Sequence, residues 1–373
     1  MNFEPTDDRR MLADSLNRYL GDRWGFEAWK RVAASDAGHD PAIWAGLVEL
    51  GAVGALFTEE SGGFAGGAFD IHAVFHALGR NLVVEPFLGT LLAGRVLAAE
   101  GGHETMLASM IDGSEIVTAA FYEPQGRYDI ADVTTRAVRD GEGWVLDGAK
   151  SVVPSLGLAG TVLVSARIDG DATATDGIGL FLVPSDAAGV EIRDYGLIDG
   201  GRGGDLTLRG VRLDAGSRVG GAAHAAIEDA VAAGIVALAA EAVGAMGFCR
   251  DATLDYLRTR VQFGMPIGKF QALQHRMATL AIEIEQASSA AINAAAALDQ
   301  PRHARERAIS AAKFTIGRVG ALVAEESIHL HGGIGMTWEL PLPHYAKRLI
   351  MIDHMLGDED HHLGRYIALG AAA

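Results

Sequence analysis

Trp144-Val145-Leu146 with the turn pair Asp147-Gly148, then Thr161-Val162-Leu163-Val164 and Gly179-Leu180-Phe181-Leu182-Val183, decide the fold class. Each run is short, apolar or β-branched, and bounded by Gly or Asp, which is the pattern of strands joined by tight turns. Only the interval from about Ser114 to Leu213 reads this way. It predicts an antiparallel β-domain inserted in an otherwise mainly α chain. Alternating strand and helix units are absent, so a doubly wound dinucleotide-binding sheet is a poor fit.

Outward from that interval the apolar residues return to helical spacing. Met11, Leu12, Leu16 and Leu20, then Ile43, Leu47, Leu50 and Leu56, lie on helical faces. The pair Gly62-Gly63 permits a chain reversal. Beyond about Ala222 the helical stretches are rich in Ala and are broken at Pro301, Gly332-Gly333 and Pro341/Pro343. Ala-rich faces let helices approach closely, as in an antiparallel bundle. The expected division is an N-terminal helical domain over 1–113, a middle β-domain over 114–215 and a C-terminal helical bundle over 216–373.

With 373 residues, 49% of them hydrophobic, the chain can bury a large core. Its formal charge of −17 repels phosphate backbones and anionic lipid surfaces, and no Lys or Arg run forms a local basic patch. Nucleic acid and membrane partners are therefore not expected. Cys249 is the single cysteine, so no intramolecular disulfide is possible, and it reads as a small buried hydrophobe. No window holds about 18 uninterrupted apolar residues and the first residues are acidic, so the expected location is cytoplasmic. There is no phosphate-binding glycine loop, nucleophile elbow or Cys/His metal spacing. His361-His362 beside Asp358, Glu359 and Asp360 reads as a solvated polar helix start, with no metal expected.

The most specific signal lies at Tyr256, Arg260, Phe263-Gly264, Ile267 and Gln271. Their spacing closely resembles the Y-x-x-x-R-x-x-F-G-x-x-I-x-x-x-Q motif of the acyl-CoA dehydrogenase family. Leu50-Gly51 through Glu59-Glu60 and Gly62-Gly63, the Glu123-Pro124 pair, the Trp144 to Lys150 strand-turn and His331-Gly332-Gly333-Ile334-Gly335 resemble that family's other motifs in the same order. The resemblance implies helices, a β-domain and a four-helix C-terminal bundle, assembled as dimers or dimers of dimers. It also implies FAD, α,β-dehydrogenation of an acyl-CoA thioester, and electron transfer to an electron-transfer flavoprotein. A carboxylate with raised pKa would remove the α-proton.

Carried over one position at a time, the resemblance implies that Arg260 and Gln271 reach the FAD of a neighbouring subunit, with Phe263 near its adenine side. Gly332 and Gly333 would admit the adenosine pyrophosphate, and His329 stands where the family has Gln. The base position falls on Asp353, where most members have Glu. The family's Thr-Ser-Gln after the base is here Met355-Leu356-Gly357, and its flavin-ring segment is Val152-Val153-Pro154, leaving Ser155 as the nearest hydroxyl. Groups for the chain's own flavin ring are thus depleted, and those reaching a neighbour's FAD are kept. This resembles the small or β-type subunits of heteromeric enzymes, such as the pimeloyl-CoA and steroid side-chain dehydrogenases. The alternatives are a self-sufficient homo-oligomer using Asp353, and a flavin-free structural or acyl-binding paralogue. For Asp353 itself, the expected ordinary role is to cap the final helix, which would lower its pKa.

Overall fold

The computed structural model describes residues 6–221 and 223–371. Six helices come first: α1 (Asp7–Arg23), α2 (Phe26–Ala33), α3 (Pro41–Glu49), α4 (Ala68–Arg80), α5 (Phe87–Glu100) and α6 (Glu104–Ile111). Eight strands follow: β1 (Val117–Ala120), β2 (Arg136–Asp140), β3 (Gly143–Pro154), β4 (Thr161–Arg167), β5 (Ile178–Pro184), β6 (Val190–Gly196), β7 (Arg202–Leu213) and β8 (Arg218–Val219). Then come α7 (Ala223–Thr259), the short strands β9 (Val261–Gln262) and β10 (Met265–Pro266), α8 (Gln271–Ala297), α9 (Arg302–His331), α10 (Leu342–His354) and α11 (Glu359–Ala371).

Contacts divide the chain into two compact units. One comprises Met1–Lys30, Ala68–Val83 and Ile235–Ala373; the other comprises Arg31–Gly67 and Val84–Gly234. Both are interleaved in sequence, because each helical stretch before the strands contributes to one or the other.

The second unit is built on the sheet, ordered β6-β7-β3-β2-β4-β5-β8 with β1 added beside β4. The sheet is mixed, in contrast to the antiparallel expectation. β1 runs parallel to β4, from Val117 opposite Thr161 to Ala120 opposite Val164, and Arg136 of β2 also pairs in parallel with Arg167. The chain between β1 and β4 is a loop, the antiparallel β2-β3 pair and a short connection, long enough for the crossover that a parallel ladder needs. Trp144, Leu146, Val164, Phe181 and Leu206 fill the apolar core, with the Trp144 and Phe181 rings edge to face at 5.2 Å. Helix α5 lies tightly on β1, since a β-carbon at Gly89 would fall on Thr118.

The first unit is helical. α4 and the later part of α7 touch backbone to backbone through a reciprocal glycine pair. Gly79 faces the Glu241 carbonyl, and Gly244 faces the His76 carbonyl, where any side chain would collide. Helix α9 is the hub against which α8, α10 and α11 pack. By length and composition, α7 is apolar enough to cross a bilayer, which a count of uninterrupted apolar residues overlooks. Its most apolar window is 89% buried inside the protein, as a core helix would be.

Candidate functional site

Arg260, Phe263 and Gln271 come together in a hairpin between two helices. After α7 ends, the Arg260 amide donates to the Tyr256 carbonyl at 2.8 Å, and the Arg260 carbonyl accepts from Ile267 N at 2.8 Å. β9 and β10 are joined by the two-residue turn Phe263-Gly264, both with positive φ (53° and 81°). Such a turn matches the strand twist, and Gly takes its second position without strain. Phe263 takes the first position at some cost, being a bulky residue in the left-handed region, and it is 88% exposed. Its ring meets Phe270 edge-on at 6.2 Å. Arg260 and Gln271, the first residue of α8, are both exposed. Among the described residues neither side chain has a hydrogen-bond or ion-pair partner.

The C-terminal end of α9 lies at the same end of the first unit, because Tyr256 of α7 stacks on His331 with ring centroids 4.4 Å apart. Gly332 has φ 67°, and no atom lies within 4 Å of where a β-carbon would stand at Gly332 or Gly333. Backbone here is open to an approaching group. His329, by contrast, is engaged within the chain: Arg276 donates to its Nδ1 at 3.0 Å and pairs with Glu326 at 2.7 Å.

Asp353 does not open the final helix. Helix α10 continues through His354, the chain reverses at Leu356 (φ 58°) and Gly357 (φ 109°), and α11 begins at Glu359. The capping role expected of Asp353 belongs to Asp358, whose Oδ1 accepts from the His361 amide at 2.8 Å. The Asp353 carboxyl is half-buried, and its Oδ1 is buried without a hydrogen-bond partner. Burial pushes its pKa up, the reverse of the shift a cap would give. Lys313, His354 and the Glu359 amide oppose that rise without hydrogen-bonding Oδ1, and Asp358 adds to it. Gly317 on α9 is the seat, since a β-carbon there would fall on Asp353 Oδ1. Gly317→Ala should destabilise the protein by about 1–3 kcal/mol through overpacking, read as a lower urea midpoint; an unchanged midpoint would show that the carboxyl has room to move.

Ser155 belongs to the other unit. It has φ 50°, is 7% exposed, and its amide donates to the Arg202 carbonyl at 3.0 Å. The residue as a whole is largely withdrawn from the surface. Val152 just before it is left-handed too (φ 52°) and 59% exposed, an outlier for a β-branched residue, with its amide held by Asp205 Oδ1 at 3.2 Å. Nearby, Glu123 is buried and accepts from Lys150 Nζ at 2.7 Å, from the Thr134 and Thr135 amides, from the Thr134 hydroxyl and from Gln125. Arg167 completes the polar core by donating to the carbonyls of Ala131, Val133, Ala172, Ala174 and Asp176.

His362 departs from the solvated helix start expected of it. It is 1% exposed, with Nε2 on the Leu356 carbonyl at 3.0 Å and Nδ1 facing Ser310 Oγ at 3.4 Å. No His, Cys, Asp and Glu group among the described residues could hold a metal ion. Sequence reading missed Lys313 and Gly317, and nothing in their local composition marks them; Asp358 was read as part of a polar helix start, which it is, but not as the cap.

For a dinucleotide, the residues present fit its adenosine diphosphate end. An unpaired guanidinium and an exposed amide side chain stand on the hairpin, and open glycine backbone stands at the end of α9. A planar guanidinium fork matches pyrophosphate oxygens.

Comparison with known proteins points the same way. Residues 118–210 match the acyl-CoA dehydrogenase middle domain, and residues 212–366 match the acyl-CoA dehydrogenase C-terminal domain. The acyl-CoA dehydrogenase IpdE2 of Mycobacterium tuberculosis is 31% identical, over 92% of this chain and 91% of that protein. Among solved structures, the Tcur3481-Tcur3483 steroid ACAD is similar with a TM-score of 0.88 and 31% identity, covering 98% of this chain and 99% of that one. The ChsE4-ChsE5 complex from Mycobacterium tuberculosis is similar with a TM-score of 0.90 and 26% identity, covering the whole of both chains. Identity at that level over nearly the full length, on top of the same motifs in the same order, makes this chain a member of the acyl-CoA dehydrogenase family, flavin-dependent oxidoreductases that act on the CH–CH bond of acyl-CoA thioesters.

Proposed function

We propose that this chain is one subunit of an FAD-dependent acyl-CoA dehydrogenase and shares its flavin site with a partner subunit, in an α2β2 arrangement. The observation that carries the reading is an asymmetry. Arg260, Phe263, Gln271 and the Gly332-Gly333 backbone are exposed, while Ser155 is buried and Asp353 Oδ1 is turned onto Gly317. Arg260 and Gln271 would hold the adenosine diphosphate end of an FAD seated on the partner. When bound, FAD supplies the hydride acceptor. The two solved relatives, each named as a pair of proteins, support the heteromeric reading. The substrate is an acyl-CoA, the electron acceptor an electron-transfer flavoprotein, and the location cytoplasmic.

The test is colour. The chain purified alone should carry little flavin absorbance, and the chain co-expressed with its partner should be yellow; full flavin occupancy without a partner would exclude sharing and leave a homodimer or homotetramer. In the assembled enzyme, Arg260→Ala should weaken FAD retention by about 1.5–3 kcal/mol, the worth of a charge-assisted hydrogen bond. Equal flavin content after dialysis in variant and wild type would remove Arg260 from the site.

One observation favours a second reading, in which Asp353 is itself the working base. Its desolvated, unpartnered Oδ1 and upward-shifted pKa suit a carboxylate that takes an α-proton from a weakly acidic thioester. Asp353→Asn nearly preserves shape while removing the base. Turnover retained in the complex assigns the base to the partner, and turnover lost with folding and flavin intact assigns it to Asp353.

A further inference from the structure

Lys313 is fully buried in the middle of α9, where an unpaired ammonium would be very costly. Its Nζ donates to two backbone carbonyls, Asp353 O at 2.7 Å and Gly357 O at 2.5 Å. These carbonyls stand at the two ends of one turn, the segment linking α10 to α11. Ser310 and Gly317, three residues before and four after Lys313, share its helix face. Ser310 meets His362, which donates through Nε2 to the Leu356 carbonyl inside the same turn. Gly317 leaves the space that Asp353 Oδ1 occupies. One face of α9 therefore fixes the carbonyls of 353 and 357 directly, that of 356 through His362, and the place of the Asp353 carboxyl.

We propose that Lys313 is a positioning residue for Asp353: by clamping both ends of the turn it seats the carboxyl over Gly317, and its charge sets how readily that carboxyl takes a proton. The proposal rests on the second reading above, in which Asp353 is the working carboxylate. A neutral amide could also donate twice, but without a charge. Lysine reaches both carbonyls and places a positive charge beside a carboxyl that burial would otherwise neutralise. The groups that bear on Asp353 are Lys313 from α9, His354 from α10, and Asp358 with the Glu359 amide from the start of α11. Of these, Lys313 is the largest that favours the ionised form. The same burial pulls Lys313 down to about 8, against the attraction of Asp353 and Asp358.

The test follows Asp353 by carbon-13 NMR of its labelled carboxyl, and the turn by amide exchange, in the full chain. In wild type the carboxyl should titrate above an ordinary aspartate. In Lys313→Met its midpoint should rise by about one pH unit or more, as expected on removing an adjacent opposite charge, and the amides of 354–358 should exchange roughly tenfold faster. An unmoved midpoint or unchanged exchange overturns the proposal. If Lys313→Met does not fold, Asp353→Asn carries the test, since loss of the carboxylate should lower the titration midpoint of Lys313 itself; an unmoved Lys313 overturns the proposal equally. These readings need no turnover, so failure of Asp353 as a base, seen in the Asp353→Asn complex, is distinguishable from failure of the clamp.

Discussion

Replacing Glu123 with Ala should destabilise the sheet-bearing unit by about 3–5 kcal/mol, the cost of stranding one member of a buried ion pair. The stranded charge is Lys150, which is 1% exposed and whose other contact is the Ser165 hydroxyl at 2.9 Å. The loss extends beyond the pair. The Thr135 amide, donated to Glu123 at 3.0 Å, would be left buried without its acceptor, and the more exposed Thr134 amide would lose its own at 2.8 Å. Burial alone would push the Glu123 carboxyl up; Lys150, Thr134 and Thr135 more than reverse that and hold it at about 2. A depressed carboxylate gives stability that is complete above its unfolded value and is lost as pH falls through about 2. Lys150→Met should cost a similar amount. The double variant Glu123→Leu with Lys150→Met should cost clearly less than the two single changes together, since no lone charge remains. Urea unfolding of the four proteins measures this; additive losses would show that the two residues act independently.

How much of this was legible in the sequence depends on whether the controlling interaction is local. Strand runs such as Thr161 to Val164 and the turn at Asp147-Gly148 announce themselves, because period and turn chemistry are carried by adjacent residues. The parallel pairing of β1 with β4 is not, since it depends on where the intervening β2-β3 pair and its loops bring two distant segments. The motif from Tyr256 to Gln271 was visible as a string, but its exposure and its strained Phe263 emerge only once the hairpin is built. Asp353 shows the limit most clearly. A carboxylate ahead of a final helix reads as a cap, and the register was wrong by five residues because the left-handed Leu356-Gly357 reversal fixes where α11 starts. Lys313 sits in an Ala-rich stretch where a charged residue ordinarily faces water. Only the packing of α9 against α10 and α11 turns it inward.

Acidification should unfold the helical unit well before the sheet-bearing one. Five histidines of the helical unit, His72, His76, His331, His344 and His362, all have pKa values lowered with burial as the leading cause. His362 is pulled to about 3, and His72 to about 4 with help from neighbouring His76. For a histidine held neutral by burial, the unfolded chain binds the proton first. Stability is therefore complete above the ordinary value near 6.5 and drains away as pH falls from there toward the folded value. His362 alone, at 1% exposure, represents about 5 kcal/mol over that window. Asp353 works in the opposite direction, its raised carboxyl favouring the folded state at low pH, but it is one group against five. Glu123 holds its proton off until about pH 2, so the sheet's main ion pair survives the interval in which the histidines titrate. Amide exchange between pH 6 and 4 measures the order: α11 should lose protection while β3 keeps it. His362→Gln, whose side-chain amide can still donate to the Leu356 carbonyl, should flatten the pH dependence of the urea midpoint for the helical unit. An equally steep dependence in that variant, or loss of β3 protection ahead of α11, would rule out buried histidine as the source of acid sensitivity.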